Sequence, residues 1–72
     1  MRERKWWRVG GTFLLAGETD RRYVAGFMVQ AGDEAEAGED VLAQLVAKYK
    51  ARGGKWLTGP VVKELRWQTT IR

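Results

Sequence analysis

The chain has 72 residues, a formal net charge of +4 and neither Cys nor His. That is one domain at most, 1-72, with no disulfide to staple it and no thiolate or imidazole to build a structural zinc site. Ser is missing as well, so the ordinary nucleophile and base pairs of hydrolases are absent; the sequence calls for no catalytic residue, no metal and no cofactor.

A domain this small buries only about 60% of the surface its unfolded chain exposes, so its stability is expected to be marginal. The stabilising groups are four Trp, two Phe, two Tyr and the aliphatics. No apolar run approaches a membrane span and no segment has the pattern of a signal peptide, so a cytoplasmic protein is expected. The combined lack of Ser, Asn, Cys and His fits a thermophile tendency.

Charge is distributed unevenly. Arg2, Arg4, Lys5 and Arg8 crowd the start, and Lys48, Lys50, Arg52 and Lys55 crowd a later stretch. Between Tyr23 and Ala47 there is no basic residue, while Asp33, Glu34, Glu36, Glu39 and Asp40 fall there. The molecule is therefore expected to be bipolar.

In chain order, Met1–Arg4 is a charged, frayed start. Lys5–Ala16 reads as a strand, with Trp7, Val9, Gly11, Phe13 and Leu15 on one face and Trp6, Arg8, Gly10, Thr12, Leu14 and Ala16 on the other. A helix is disfavoured there, because Gly10 and Gly11 would each cost roughly 1 kcal/mol against Ala. In a strand the pair marks a kink or bulge, or the close approach of another backbone. Residues 17–21, Gly-Glu-Thr-Asp-Arg, form a turn, and Arg22–Ala31 is the second strand. A three-residue loop opposes Leu15 to Tyr23, Phe13 to Ala25, Gly11 to Phe27 and Val9 to Val29, which keeps both apolar sets on one face.

Asp33 and Glu36 have the spacing of a helix-capping box. Gly38 weakens the first turns, so firm helix is expected from Glu39. Val41, Leu42, Leu45, Val46 and Tyr49 form one apolar face, and Gly53-Gly54 supplies the stop. Lys55–Thr58 is extended, Gly59-Pro60 is a turn or bulge, and Val61–Ile71 is the last strand, with Val61, Leu65, Trp67 and Ile71 on its inner face.

These elements give an α+β fold of ββαβ topology. A right-handed crossover through the helix places the third strand beside the first, so the antiparallel sheet has strand order 2-1-3. The helix covers one face, made by Trp7, Val9, Phe13, Leu15, Tyr23, Phe27, Val29, Val61, Leu65 and Trp67. The other face is left open, with Trp6, Leu14, Val24, Met28 and Val62 among Arg8, Arg22, Gln30, Glu64 and Arg66.

An exposed apolar patch on a small protein has a use or a cover. The candidate partner-binding residues are Trp6, Arg8, Leu14, Arg22, Val24, Met28 and Arg66. The occupant is a larger protein or nucleoprotein complex, DNA or RNA stacked on Trp6, or a second copy in a homodimer; the alternative is that the N-terminus or Lys55–Thr58 folds over the face. The acid run at 33–40 lacks calcium-loop spacing and is explained by a helix start. Gly53-Gly54-Lys55 fails as a phosphate loop, because Tyr49 and Trp56 stand where that motif needs Gly and Ser/Thr.

In layout the chain resembles short phage early proteins and other mobile-element accessory proteins that inhibit host machinery, including inhibitors of host RNA polymerase and small anti-CRISPR proteins. The likeness rests on Lys5-Trp6-Trp7, Phe27-Met28-Val29-Gln30-Ala31, Asp33-Glu34-Ala35-Glu36 and Gly53-Gly54. It implies a non-catalytic protein that binds a surface of a larger assembly. The chain departs from the acidic nucleic-acid mimics among them in being basic. Trp7-Arg8-Val9-Gly10, with the hairpin and helix after it, is also similar to the small archaeal chromatin proteins that lay a Trp-bearing sheet on DNA. Those chains are richer in Lys and lack a third strand after the helix. That likeness implies the alternative function, a small nucleic-acid-binding module with a Trp/Arg sheet face.

Overall fold

The computed structural model describes residues 4–65. Arg66, Trp67 and Ile71, named above, lie outside the described residues. Three strands, β1 (Lys5–Leu15), β2 (Arg22–Ala31) and β3 (Gly54–Leu65), and one helix, α1 (Glu34–Lys48), follow in the order ββαβ. The sheet is antiparallel with order β2-β1-β3, so β1 is central. Among the described residues no helix is long and apolar enough to cross a membrane.

Alternation along β1 holds from end to end. Trp7, Val9, Phe13 and Leu15 are buried beneath the helix with Val29 and Ala31 of β2 and Ala37, Val41 and Leu45 of α1. Trp7 is 8% exposed and its indole Nε1 donates to the Ala31 carbonyl at 3.0 Å, whereas Trp6 is 38% exposed. Phe13 meets the Trp56 ring edge-on at 5.9 Å between centroids, a favoured aromatic geometry.

Adjacent Gly10 and Gly11 each admit a different neighbouring strand. A Cβ on Gly10 would stand 2.6 Å from the Ala25 carbonyl oxygen of β2. A Cβ on Gly11, which has φ +151°, would stand 2.6 Å from the Thr58 carbonyl oxygen of β3. The close backbones expected at this pair are therefore the protein's own. On the β2 side the register passes from Val9↔Phe27 to Gly11↔Val24, so β2 spends one more residue than β1 over the same step. On the β3 side the shifts fall between Gly10 and Phe13.

The observed pairing corrects three sequence expectations. The hairpin register differs: Trp7 faces Val29, Val9 faces Phe27 and Phe13 faces Arg22. Because the extra β2 residue reverses parity beyond it, Val24 packs against the core while Tyr23, expected inside, is 74% exposed. The third strand is also inverted, with Val62 packed against the core and Val61 70% exposed. Here Val62 pairs with Val9, and Leu65 pairs with Trp6. Finally, Lys55–Thr58, Gly59-Pro60 and the segment after them form one strand, paired to β1 from Leu15↔Gly54 to Trp6↔Leu65.

The helix starts at Glu34 rather than near Glu39. Asp33 caps it by accepting from the Glu36 N–H at 2.8 Å, and Glu36 Oε1 accepts from the Gly32 N–H at 2.9 Å. That reciprocal pair satisfies two donors at the helix start and fixes the first turn. Gly38 is buried inside the helix, where a Cβ would lie 3.0 Å from the Pro60 ring, and its carbonyl accepts from Trp56 Nε1 at 3.2 Å. The missing side chain thus lets α1 sit directly on β3. The helix stop also comes earlier than Gly53-Gly54. Lys50 adopts φ 55°, its N–H donates to Ala47, and the Ala51 N–H donates to Val46, as in a Schellman cap built on a lysine.

Candidate functional site: the uncovered face of the sheet

The helix covers one side of the sheet, and among the described residues nothing covers the other. Of the two covers the sequence offered, Lys55–Thr58 is part of β3, and the N-terminal residues 1–3 lie outside the described residues. On this uncovered side β1 places Trp6, Arg8, Gly10, Thr12 and Leu14. Alternation and the pairing Trp6↔Gln30, Arg8↔Met28 and Thr12↔Tyr23 add those three β2 residues. Leu65, Lys63 and Lys55 of β3 oppose Trp6, Arg8 and Leu14.

Of the expected partner-binding residues, Trp6, Arg8, Leu14 and Met28 stand on this face. Arg22 and Val24 do not, because both follow the parity reversal in β2. Val24 packs against the core. Arg22 sits on the helix side, its guanidinium 4.2 Å from the Tyr49 ring centroid. There it forks onto Glu18, with Nε to Oε1 at 2.9 Å and Nη2 to Oε2 at 3.0 Å. That bond holds the Glu18 carboxyl below the usual carboxylate range and the Arg22 guanidinium above its usual value. The ion pair and the ring stack tie the hairpin to the helix end. Arg66 lies outside the described residues.

Tyr23, Ala25, Val61 and Lys63 belong to the face and were not expected there. A signal for the last two was present: the parity that puts Val61 and Leu65 inside also puts Lys63 inside. The opposite parity turns Glu64 inward instead, so the pattern carried one charge either way. The structure resolves this by leaving Glu64 at the sheet margin, 3.8 Å from Lys5 Nζ. For Tyr23 and Ala25 the signal was Gly26, which lies within the register shift between Phe27 and Val24.

The centre of the face is a shallow trough of about 440 Å³, lined by Arg8, Gly10, Thr12, Tyr23, Val61 and Lys63 among others. Its floor is low because Gly10, Gly11 and Ala25 bring little or no side chain to it. The Arg8 side chain lies down across Gly26, in space that a Cβ there would take. Arg8 and Lys63 are direct cross-strand partners, and neither has an ion pair among the described residues. Like charges directly opposed in a sheet are destabilising, so the fold carries this pair at a cost to itself.

No family model matches this chain, and neither the curated proteins nor the solved structures contain a match to it.

Proposed function

We propose that this chain is a non-catalytic binding protein that uses its uncovered sheet face to occupy a surface of a larger host protein or nucleoprotein assembly, in the manner of a phage-type inhibitor. The supporting observation is that Trp6, Tyr23, Met28 and Val61 all stand out from the side of the sheet away from the helix. Burying those side chains would favour folding, at about 25 cal/mol per Å² of apolar surface, yet among the described residues nothing covers them. Small proteins that carry such a patch use it as an interaction site. Aromatic and Arg side chains, here Trp6, Tyr23 and Arg8, are also the residue types that dominate binding hot spots.

The test compares the wild type with Met28→Glu, Val61→Glu, two changes on exposed positions. In extracts of the source cells the wild type is expected to elute within a larger assembly, and the variant as the free chain with its melting curve unchanged. The proposal falls if the variant stays in the assembly, or if the wild type elutes as the free chain. A concentration-dependent homodimer through this face, in place of a larger assembly, would also overturn it.

A further inference from the structure

Resting on that reading of the open face, we infer that the partner surface it contacts is single-stranded nucleic acid, with unpaired bases on the trough and its flanking aromatics and phosphates against Arg8 and Lys63. Three independent observations carry this.

The first is charge. Among the described residues no carboxylate stands on the open face. Glu64 has the parity of the helix side and pairs with Lys5, Glu18 holds Arg22, Asp20 sits in the loop between β1 and β2, and the acids from Asp33 to Asp40 belong to α1 and its cap. Against that acid-free background Arg8 and Lys63 are paired across β1 and β3, with Lys55 further along beside Leu14. Two cations set opposite one another with no counter-charge disfavour folding and favour an anion lying over both.

The second is shape. The trough floor is backbone at Gly10 and Gly11 and a methyl at Ala25. A protein surface buries energy by inserting side chains into pockets lined by other side chains, and this floor has none to line one. A flat ring needs only a flat seat, and a glycine floor provides it.

The third is the placement of the aromatics. Tyr23 borders the trough opposite Thr12, and Trp6 lies six β1 residues away, about 20 Å along an extended strand. The face therefore presents an aromatic ring at each of two stations with cations between them. Stacking platforms on a basic track are how single strands are held without sequence preference. Paired bases in a duplex do not offer their faces, so these aromatics are matched to unpaired ones.

The experiment is fluorescence anisotropy with labelled oligothymidylate and oligouridylate of about 12 nucleotides and a duplex of equal length. Titrations run from about 50 to 200 mM salt. Either single strand is expected to bind more tightly than the duplex. Tyr23→Ala and Trp6→Ala should each weaken binding by about 5-fold or more, with Trp6→Phe restoring most of the loss. Arg8→Ala with Lys63→Ala should make the log–log salt slope shallower by about 1.4, two phosphates at 0.7 each.

Absence of single-strand binding at the lowest salt overturns the inference. So does duplex preference, or binding that both aromatic substitutions leave unchanged, since that would be the pull of a basic chain alone. Nuclease treatment of the cell-extract assembly separates this inference from the reading beneath it. An assembly that survives nuclease but is lost on Met28→Glu, Val61→Glu has a protein partner on the open face. In that case the nucleic-acid inference falls and the docking function stands. An assembly lost to nuclease and to those substitutions supports both.

Discussion

Trp6 and Trp7 are chemically identical neighbours that the strand sends to opposite sides of the sheet, so exchanging each for Ala measures what each side is for. Trp7 is almost fully buried and its Nε1 holds the Ala31 carbonyl. Trp7→Ala is expected to cost about 3–5 kcal/mol for the lost packing and the cavity. It also strands a buried carbonyl, at about 1–3 kcal/mol. A domain of this length has roughly 4–11 kcal/mol of stability in all, so this one change removes about a third of it or more. Trp7→Phe separates the terms, because the ring still packs while the hydrogen bond is lost. It should lower the melting temperature by about 4–8 °C for each kcal/mol. Trp6→Ala should cost about 1 kcal/mol or less, as surface changes do. The assay is urea denaturation followed by far-ultraviolet circular dichroism, which does not depend on the Trp being removed. A midpoint lower for Trp6→Ala than for Trp7→Ala would mean that the sheet faces are inverted, and the open face with them.

Gly10→Ala should destabilise by several-fold in the folding constant or abolish folding, because its Cβ would meet backbone, Ala25 O at 2.6 Å and Val24 O at 3.1 Å, which cannot rotate away; a melt equal to the wild type would contradict the β2 bulge. Lys50→Gly should stabilise by about 0.5–1 kcal/mol, since Lys50 holds φ 55° at the helix stop and a left-handed conformation disfavours a residue with a Cβ; the denaturation midpoint reads this, and a decrease would contradict it. The Glu18–Arg22 pair should add a small pH-dependent stability. Glu18 has its pKa lowered in the fold from 4.5, so the contribution is full above about that pH and is lost as pH falls through the folded value. The stability difference between the wild type and Glu18→Gln should therefore shrink as the pH falls from neutral to about 3, and a difference that grew instead would refute the assignment.

The order of strands and the facing of β1 were legible because Trp7, Val9, Phe13 and Leu15 keep one parity through the two glycines. The helix face was legible for the same kind of reason, Val41 and Leu45 recurring at helical spacing on the buried side. What could not be read was the parity of β2 before Phe27 and of β3. Alternation is a local rule, and one residue added to a strand reverses everything beyond it. Gly26 and Gly59 marked where this could happen but not whether it did. Lys50 as helix stop was illegible for a different reason, since two glycines stood three residues later and offered a stop with no Cβ to accommodate. The resulting open face keeps Trp6, Arg8, Leu14 and Met28 from the pattern. It exchanges Arg22 and Val24 for Tyr23, Val61 and Lys63.

That exchange links the irregular backbone to the proposed function. Without the extra β2 residue, Arg22 would stand on the open face and Tyr23 beneath the helix, away from the stacking position. Without the opposite parity in β3, Glu64 would lie where Lys63 now opposes Arg8, and the two would neutralise each other as an ordinary cross-strand pair. β3 keeps one parity throughout, with Trp56 and Val62 both packed toward the core, and only the β2 reversal is made at Gly10 and Gly11, where both edge strands crowd the central one. The same two residues lower the floor of the trough. A sheet of this size could be built more stably with side chains at those positions and regular pairing on both edges. Local departures from the simplest folding solution tend to collect where a protein acts. Here they produce, at one place, a flat seat, an exposed tyrosine and a pair of cations with no ion pair among the described residues.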